Sequence, residues 1–444
     1  MIPRSRLALI ARYGLRRAKW AAYRPLRTWM RWYVRAEPPR ETAYTHPRVF
    51  IMLASAWGMG GTIRTVHTLA GHLAKTYDVE IVSLVRRGEK PFFKFAPGVN
   101  VTALDDRRPG AASPWPGIVR KVLCGRSSAL MHPADHASAE SNLWMDFMLV
   151  RKLRRQSGFL IGTRPALNLI AADLSPPGLI TIGQEHMHLR AHSRPLKGAM
   201  KRLYPMLDVL TVLTERDLLE YEKQLSGRVR LVHIPNPVGD MPGPKADLGA
   251  RTVLAAGRLT YQKGFDMLIQ AFGPIASAHP GWRLRICGRG RLRRDLQGLI
   301  RDEGLSHVVE LPGPRDLDEE MARASLFVLS SRFEGFPIVL LEAMSKGMAI
   351  ASFDCPTGPV EIVDDRRNGI LVPFGDVDAL ANAMLELIED EDLRRSCAAA
   401  AVETARSYSI DAIGSRWDAL LEQLEQAQTP APVDPRMASL DSPQ

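Results

Sequence analysis

Cysteine is scarce in this chain of 444 residues. The four cysteines, Cys124, Cys287, Cys355 and Cys397, include no pair with the C-x-x-C spacing of a zinc site or a redox motif. Three of them lie in apolar or helical surroundings, as reduced core thiols do in cytosolic proteins. We therefore expect no disulfide and no zinc site, and we predict a cytoplasmic protein.

Long apolar runs are also missing near the amino terminus. The longest stretch there covers residues 7–11. A membrane-spanning helix needs about 20 apolar residues, and the core of a signal peptide needs roughly seven to fifteen. We therefore expect neither feature.

Several catalytic motifs are absent from the sequence. The turn at residues 58–61 lacks the G-x-G-x-x-G pattern of a dinucleotide-dependent oxidoreductase. No G-x-x-x-x-G-K-[ST] segment indicates a P-loop kinase or ATPase. No G-x-S-x-G segment indicates a serine hydrolase. The chemistry of this chain must come from other residues.

The net charge of +11 is concentrated in one segment. Residues 1–40 contain eleven Arg and Lys residues and one acid, Glu37, so they carry +10 and leave the rest of the chain near neutrality. This distribution argues against nucleic-acid binding by the folded body. Basic residues at helical spacing, interleaved with Trp and Tyr, favour an amphipathic arm (residues 1–45) on an anionic membrane surface. A solvated or disordered arm and a targeting peptide are the alternatives.

Beyond the arm, short apolar segments alternate with amphipathic ones, which predicts an α/β fold. The predicted strands cover 48–53, 79–84, 99–104, 159–161, 179–182, 209–213, 230–234, 252–256, 283–287, 308–311, 326–330, 349–353 and 370–372. Residues 106–138 are expected to form loops and short turns.

The pattern predicts two Rossmann-like, doubly wound domains that face a cleft. We assign residues 46–237 to the first domain, 238–250 to a linker and 251–408 to the second domain. Residues 409–427 form a final helix, and 428–444 a disordered, Pro-rich tail.

The sequence from Ser331 to Lys346 places two carboxylates near a helix start. Glu334 follows a buried strand, where open α/β sheets bind ligands. Glu342 lies inside a helix that is apolar almost all round, so it needs a partner. A helix amino terminus beside two such side chains is suited to an anion such as phosphate.

A second group of residues follows the strand at 252–256. Arg258 and Lys263 precede a helix, where cations are unfavourable unless an anion joins them. A guanidinium and an ammonium group together could hold a diphosphate. Gly257 and Gly288 occupy the corresponding turns of successive βα units.

These ordered motifs, Gly257-Arg258-Leu259, Lys263-Gly264, the Gly288 turn and Glu334-x₇-Glu342, resemble those of the retaining glycosyltransferases of family 4, which have the GT-B fold. The resemblance is strong over residues 250–375 and fainter over 48–236.

The resemblance implies a role for each matching residue. Arg258 and Lys263 would bind the diphosphate of the donor, Glu334 its sugar and Glu342 its ribose. The resemblance also implies donor contacts for the Gly257 and Gly288 turns and for the amides of Phe336, Ile338 and Val339. Gly60, Gly61 and Arg64 match the glycine loop of the acceptor domain. His186 resembles a histidine that approaches the donor sugar, although a lone histidine can also be structural.

The expected activity is transfer of a hexose or N-acetylhexosamine from a nucleotide sugar, expected to be UDP-linked. The acceptor would be a glycan, a polyol phosphate or a lipid-linked glycan in cell-surface polysaccharide synthesis, at the inner face of the membrane. Neither a metal nor a cofactor is expected, since D-x-D at Asp316 and at Asp376 fits helix capping. The alternatives are a phosphorylase, a hydrolysing or epimerising enzyme on the same fold, and a non-catalytic sugar-binding relative.

Overall fold

Two parallel β-sheets, one in each half of the chain, organise the fold in a computed structural model that describes residues 14–39, 46–111, 115 and 117–428. The first sheet has seven strands in the order β3-β2-β1-β4-β5-β6-β7. These strands are β1 (Arg48–Leu53), β2 (Asp78–Arg86), β3 (Asn100–Asp106), β4 (Gly158–Gly162), β5 (Leu179–Gln184), β6 (Val209–Val212) and β7 (Arg230–His233).

The second sheet has six parallel strands in the order β10-β9-β8-β11-β12-β13. They are β8 (Thr252–Ala256), β9 (Arg283–Cys287), β10 (Val309–Gly313), β11 (Leu326–Leu329), β12 (Ala349–Asp354) and β13 (Ile370–Pro373). Most of their residues are buried because helices cover both faces, which explains their continuous apolar sequences. The predicted fold class of two Rossmann-like domains is confirmed.

Helices connect the strands and cover both sheets. Those of the first half are α1 (Arg24–Arg35), α2 (Gly61–Leu73), α3 (Gly117–Cys124), α4 (Leu143–Leu153), α5 (Pro165–Leu174), α6 (Arg194–Leu203) and α7 (Glu215–Leu225). Those of the second half are α8 (Phe265–Ala278), α9 (Arg293–Asp302), α10 (Leu317–Ala322), α11 (Ile338–Ser345), α12 (Pro359–Ile362), α13 (Val377–Glu389), α14 (Glu391–Ser407) and α15 (Ile410–Gln428).

Several helices begin at a side chain that caps their free amide groups. Asn142 accepts a hydrogen bond from an amide of α4, and Thr214 does the same for α7. Asp316, Asp376 and Asp390 cap α10, α13 and α14. Both D-x-D segments are therefore accounted for by helix capping, as predicted.

The expected separation of the arm from the first domain does not match the packing of α1. Met30 and Val34 are 2% and 0% exposed and belong to the core between the first sheet and its helices. Arg31 forms an ion pair with Asp173 (3.0 Å), and Arg27 lies 3.9 Å from the ring centroid of Trp20. The basic composition of α1 obscures this apolar face in the sequence. Because the face is buried in the core, residues 24–39 are part of the first domain. The rest of the predicted arm includes residues 1–13 and 40–45, which lie outside the described residues.

The expectation of loops over residues 106–138 is wrong at one helix, α3. It is only eight residues long and none of its residues is buried. Its apolar residues Ile118 and Val122 are exposed, and the segment before it is rich in Pro and Gly, which favours a loop in the sequence.

The chain crosses between the domains at two places that lie side by side. The amide of Val238 donates to the carbonyl of Tyr408 at 2.8 Å. Beyond this point α15 returns to the first domain, where Trp417 and Leu421 are fully buried against the core formed with β1 and α2. The final helix therefore ties the two domains together.

No helix within the described ranges combines the length and the apolar character needed to cross a bilayer.

We expect Trp417→Ala to lower the free energy of unfolding by about 3–5 kcal/mol, because a fully buried indole leaves a cavity. Urea denaturation followed by circular dichroism measures the change. Glu422→Ala, at an exposed position of the same helix, is the control and should stay within about 0.5 kcal/mol of the parent protein. Equal effects of the two substitutions would contradict the role given to α15.

Candidate functional site

The candidate site lies where the strand order of each sheet reverses. In the first sheet this point is between β1 and β4, and in the second between β8 and β11. Open parallel sheets bind ligands at the carboxyl ends of such strands, because the loops there diverge to opposite faces. The loops after β1, β8 and β11 therefore meet at one cleft.

The loop after β8 is held against the end of β11 by a glycine. Gly264 has φ +61°, and a Cβ atom at this position would lie 2.0 Å from the carbonyl oxygen of Ser330. Only glycine combines this conformation with this approach. The contact fixes Lys263 at the start of α8, beside the segment that carries Glu334.

Lys263 and Glu334 form an ion pair inside the cleft. The Lys263 Nζ to Glu334 Oε1 distance is 2.6 Å, and both side chains are largely buried. Ser331 Oγ donates to the same carboxylate oxygen at 2.5 Å, while Thr357 Oγ1 donates to the Glu334 carbonyl at 2.6 Å. The carboxylate is held by two donors and its backbone by a third.

Glu342 forms its ion pair across the cleft, with Arg64 of α2. Burial raises the pKa of Glu342, and the nearby charges of Arg64 and Lys263 only partly oppose this rise. A buried carboxylate requires a partner, and in this structure Arg64 provides it. The sequence named both residues but did not predict that they contact each other.

His186 lies against the opposite domain. A Cβ atom at Gly335 would be 2.2 Å from the His186 carbonyl oxygen, so the two backbones are in direct contact. Both ring nitrogens are buried and have no hydrogen-bond partner among the described residues. Burial lowers the pKa of His186 to about 3, so the ring is neutral at physiological pH.

The glycine loop after β1 faces the start of α11. A Cβ atom at Gly61 would lie 3.7 Å from Ile338 Cδ1, and one at Gly60 would meet nothing within 4 Å. Pro337, at the start of α11, provides no side-chain cap. The first-turn amide of Val339 therefore lacks an intrahelical partner and can donate to an anion.

Three predicted residues make contacts that the sequence did not predict. The amide of Ile338 donates to the Phe336 carbonyl at 3.0 Å, so it is occupied in this conformation. Arg258 is exposed, and its described side-chain contact is with Gln262 at 3.4 Å. A Cβ atom at Gly288 would lie 1.8 Å from the Gly257 carbonyl, so Gly288 lets two loops pack closely.

Sequence reasoning missed the residues that hold Glu334 and the segment around it. Ser331 and Thr357 are ordinary loop hydroxyls in the sequence, and Gly335 resembles any turn glycine. Gln262 donates to the Phe333 carbonyl at 3.1 Å and so links the loop after β8 to the segment before Glu334. The only available signal was the position of hydroxyl residues next to an acid at a strand end.

Within the described part of the chain, no group of three or more His, Cys, Asp or Glu residues could hold a metal ion. The site instead combines the cations Arg64, Arg258 and Lys263 with the acids Glu334 and Glu342. This set can bind an anionic group and accept hydrogen bonds from hydroxyls.

Comparison with known proteins shows what the chain is similar to. Residues 241–404 match the family model of the group 1 glycosyl transferases. Over 379 residues the chain is 38% identical to an exopolysaccharide phosphotransferase of Streptomyces coelicolor, a match that covers 83% of the chain but 40% of that protein. It is 26% identical over 382 residues to an N-acetylgalactosaminyltransferase of Campylobacter jejuni named for an undecaprenol-linked glycan, covering 83% of the chain and 96% of that protein.

A solved structure resembles most of the chain. It contains a mutant of TarM from Staphylococcus aureus in complex with Fondaparinux, α-GlcNAc-glycerol and UDP, with a TM-score of 0.68 and 14% identity. The match covers 84% of this chain and 99% of the TarM chain. This chain therefore has the GT-B fold, and its residues 241–404 match the family model of the group 1 glycosyl transferases.

Proposed function

We propose that this chain is a retaining glycosyltransferase of family 4 that moves a hexose or N-acetylhexosamine from a UDP-linked donor to a cell-surface acceptor. The observation that carries the proposal is the meeting of Lys263, Glu334 and Glu342 in one interdomain cleft. Two of these side chains are buried acids that need hydrogen-bond donors. A nucleotide sugar supplies hydroxyl donors and a diphosphate for the cations.

The diphosphate of the donor binds to Lys263 and Arg258, which precede α8, and lies at the start of α11. Arg258 is exposed and has only a weak contact with Gln262, so it can turn toward a ligand. The amides of Phe336 and Val339 add the positive end of the helix dipole. The amide of Ile338 contributes only if it leaves the Phe336 carbonyl.

The two acids hold different parts of the donor. Glu334 accepts hydrogen bonds from sugar hydroxyls while it stays paired with Lys263. Glu342 accepts hydrogen bonds from the ribose, which takes the place of Arg64. Neutral His186 reaches the sugar from the first domain, where its unpartnered ring nitrogens can donate or accept one hydrogen bond each.

The reaction exchanges two bonds at the anomeric carbon. The bond to the phosphate oxygen breaks and its electron pair leaves with UDP. The acceptor oxygen bonds to the same face of the sugar and gives its proton to the departing phosphate. Arg258, Lys263 and the helix amides stabilise the developing negative charge, so neither a metal ion nor a carboxylate nucleophile is required.

The acceptor belongs to the first domain, near Gly60, Gly61 and Arg64. The Campylobacter relative is named for a glycan linked to undecaprenol. A poly(glycerol-phosphate) α-glucosyltransferase of Bacillus subtilis is 25% identical over 290 residues. Both names support a glycan, polyol-phosphate or lipid-linked acceptor.

The name of the Streptomyces relative favours a second candidate. A phosphotransferase acting on a nucleotide sugar would transfer the sugar together with one phosphate. The same cations would bind the donor, but the leaving group would be a nucleoside monophosphate. Sugar transfer alone releases the diphosphate, so the released nucleotide separates the two activities.

We expect Lys263→Met/Glu334→Gln to lower turnover of a UDP-sugar by about 10²–10³-fold. The reason is that the cation that binds the diphosphate and the carboxylate that binds the donor sugar are both lost. The paired change avoids leaving one buried charge unpartnered. Chromatography of the released nucleotide measures turnover and identifies UDP or UMP, with and without EDTA. Lys223→Met, at an exposed position of α7, is the control.

UDP as the released nucleotide, unaffected by EDTA, is the expected result. Release of UMP would favour the second candidate. Full turnover by the paired variant would contradict the proposed site.

We expect Glu342→Gln to weaken UDP binding by about tenfold or more, since hydrogen bonds from the ribose to a charged acceptor are lost. Calorimetric titration with UDP and with 2′,3′-dideoxy-UDP measures the effect. The dideoxy nucleotide lacks the hydroxyls, so its affinity should change little. Equal losses for both nucleotides would show that Glu342 does not bind the ribose.

Exposed tryptophans support contact between α1 and an anionic membrane surface. Trp29 and Trp32 are 41% and 63% exposed and lie three residues apart, on one face of a basic helix. We expect Trp29→Ser/Trp32→Ser to lower binding to phosphatidylglycerol vesicles by about tenfold in co-sedimentation. Met206→Ser/Leu219→Ser, at other exposed apolar positions, is the control. Unchanged binding by the α1 variant would exclude this membrane contact.

A further inference from the structure

A cavity of about 1050 Å³ lies in the first domain, outside the cleft residues described above. Its lining includes six basic residues, which we call the basic set: Arg16, Arg87, Arg107, Arg120, Lys121 and Arg126. Two acids, Asp105 and Glu140, lie in the same wall, so these side chains carry a net charge of +4. This volume is at the upper end of the volumes found for small-molecule binding sites.

The two acids are already engaged by part of the basic set. Asp105 accepts from Arg107 at 2.7 Å and from Arg120 at 3.0 Å. Burial by itself would raise the pKa of Asp105, but these hydrogen bonds and one from Asn142 lower it, so the carboxylate stays charged. Glu140 pairs with Arg87 at 3.3 Å.

The other three residues of the basic set are not paired with an acid in the described part of the chain. The side chains of Arg16, Lys121 and Arg126 make no hydrogen bond or ion pair with the described residues. Like charges around one concave surface repel each other and attract an anion. An anionic group bound in the cavity would neutralise this excess.

The cavity lies on the ligand-binding edge of the first sheet. Asp105 is at the carboxyl end of β3, and Arg107 follows that strand. Only β2 separates β3 from β1, whose loop carries Gly60 and Gly61, and the end of β1 is in register with Ala103, so Asp105 lies roughly 12 Å from it. This distance corresponds to one or two sugar units.

We propose that the basic set binds a phosphate group of the acceptor, one or two sugar or polyol units from the hydroxyl that receives the sugar. The proposal rests on the proposed function and narrows it, because a neutral glycan would gain nothing from this cavity. The phosphate can belong to a soluble polyol-phosphate chain or to the headgroup of a lipid-linked acceptor. Both provide the same phosphodiester or diphosphate oxygens for arginine.

The test measures binding of a soluble glycerol-phosphate oligomer to the full chain saturated with UDP, so that the diphosphate site of the second domain is filled. We expect Lys121→Glu/Arg126→Glu to weaken this binding by about two orders of magnitude. Binding to the parent protein should also fall as salt rises from about 0.05 M to about 0.3 M. Lys201→Glu/Lys223→Glu, at exposed positions of the same domain, makes the same charge change and should have little effect.

A second experiment measures binding to phosphatidylglycerol vesicles. The milder Lys121→Gln/Arg126→Gln variant is tested in both experiments. Loss of oligomer binding in the cavity variants supports a soluble phosphate source, and loss of vesicle binding alone supports a lipid source. Equal losses in the control variant, or no loss in either cavity variant, would overturn the proposal. A single-stranded RNA oligomer that binds more tightly than both probes would also overturn it.

Titration with UDP alone separates this inference from the proposed function. If the parent protein binds UDP but no phosphate probe, only the cavity proposal is wrong. If it does not bind UDP, the proposed function is wrong.

Discussion

The buried carboxylate of Glu342 imposes the constraint on which the interdomain arrangement depends. It lies inside an apolar helix of the second domain, where an unpaired charge would be strongly destabilising. Its partner, Arg64, comes from α2 of the other domain. The ion pair therefore joins α2 to α11 and brings the glycine loop after β1 against the start of α11.

The same contact joins the proposed donor site of the second domain to the first domain. In the proposed function, a ribose at Glu342 would compete with Arg64 for the carboxylate. The contact between Gly335 and His186 lies nearby and permits no side chain at position 335. Both contacts put residues of the first domain within reach of a ligand bound to the second.

Particular elements show how far the sequence predicts this fold. The strand at Thr252–Ala256 was predicted at its observed bounds, because a strand buried on both faces reads as an apolar run between polar residues. The helix α3 was missed because it buries no residue. The helix α1 was assigned to a separate arm because its basic residues outnumber the two apolar positions, Met30 and Val34, that enter the core.

The sequence by itself determined the two-domain α/β architecture and indicated Arg258, Lys263, Glu334 and Glu342 as candidate site residues. Local periodicity and ordered motifs indicate where strands end and helices start. Both features depend on residues that are close together in the sequence. Only the tertiary structure decided the pairing of Arg64 with Glu342, the approach of Gly335 to His186 and the clustering of the basic set around one cavity. These contacts join residues far apart in the chain, and their formation depends on how the two sheets pack.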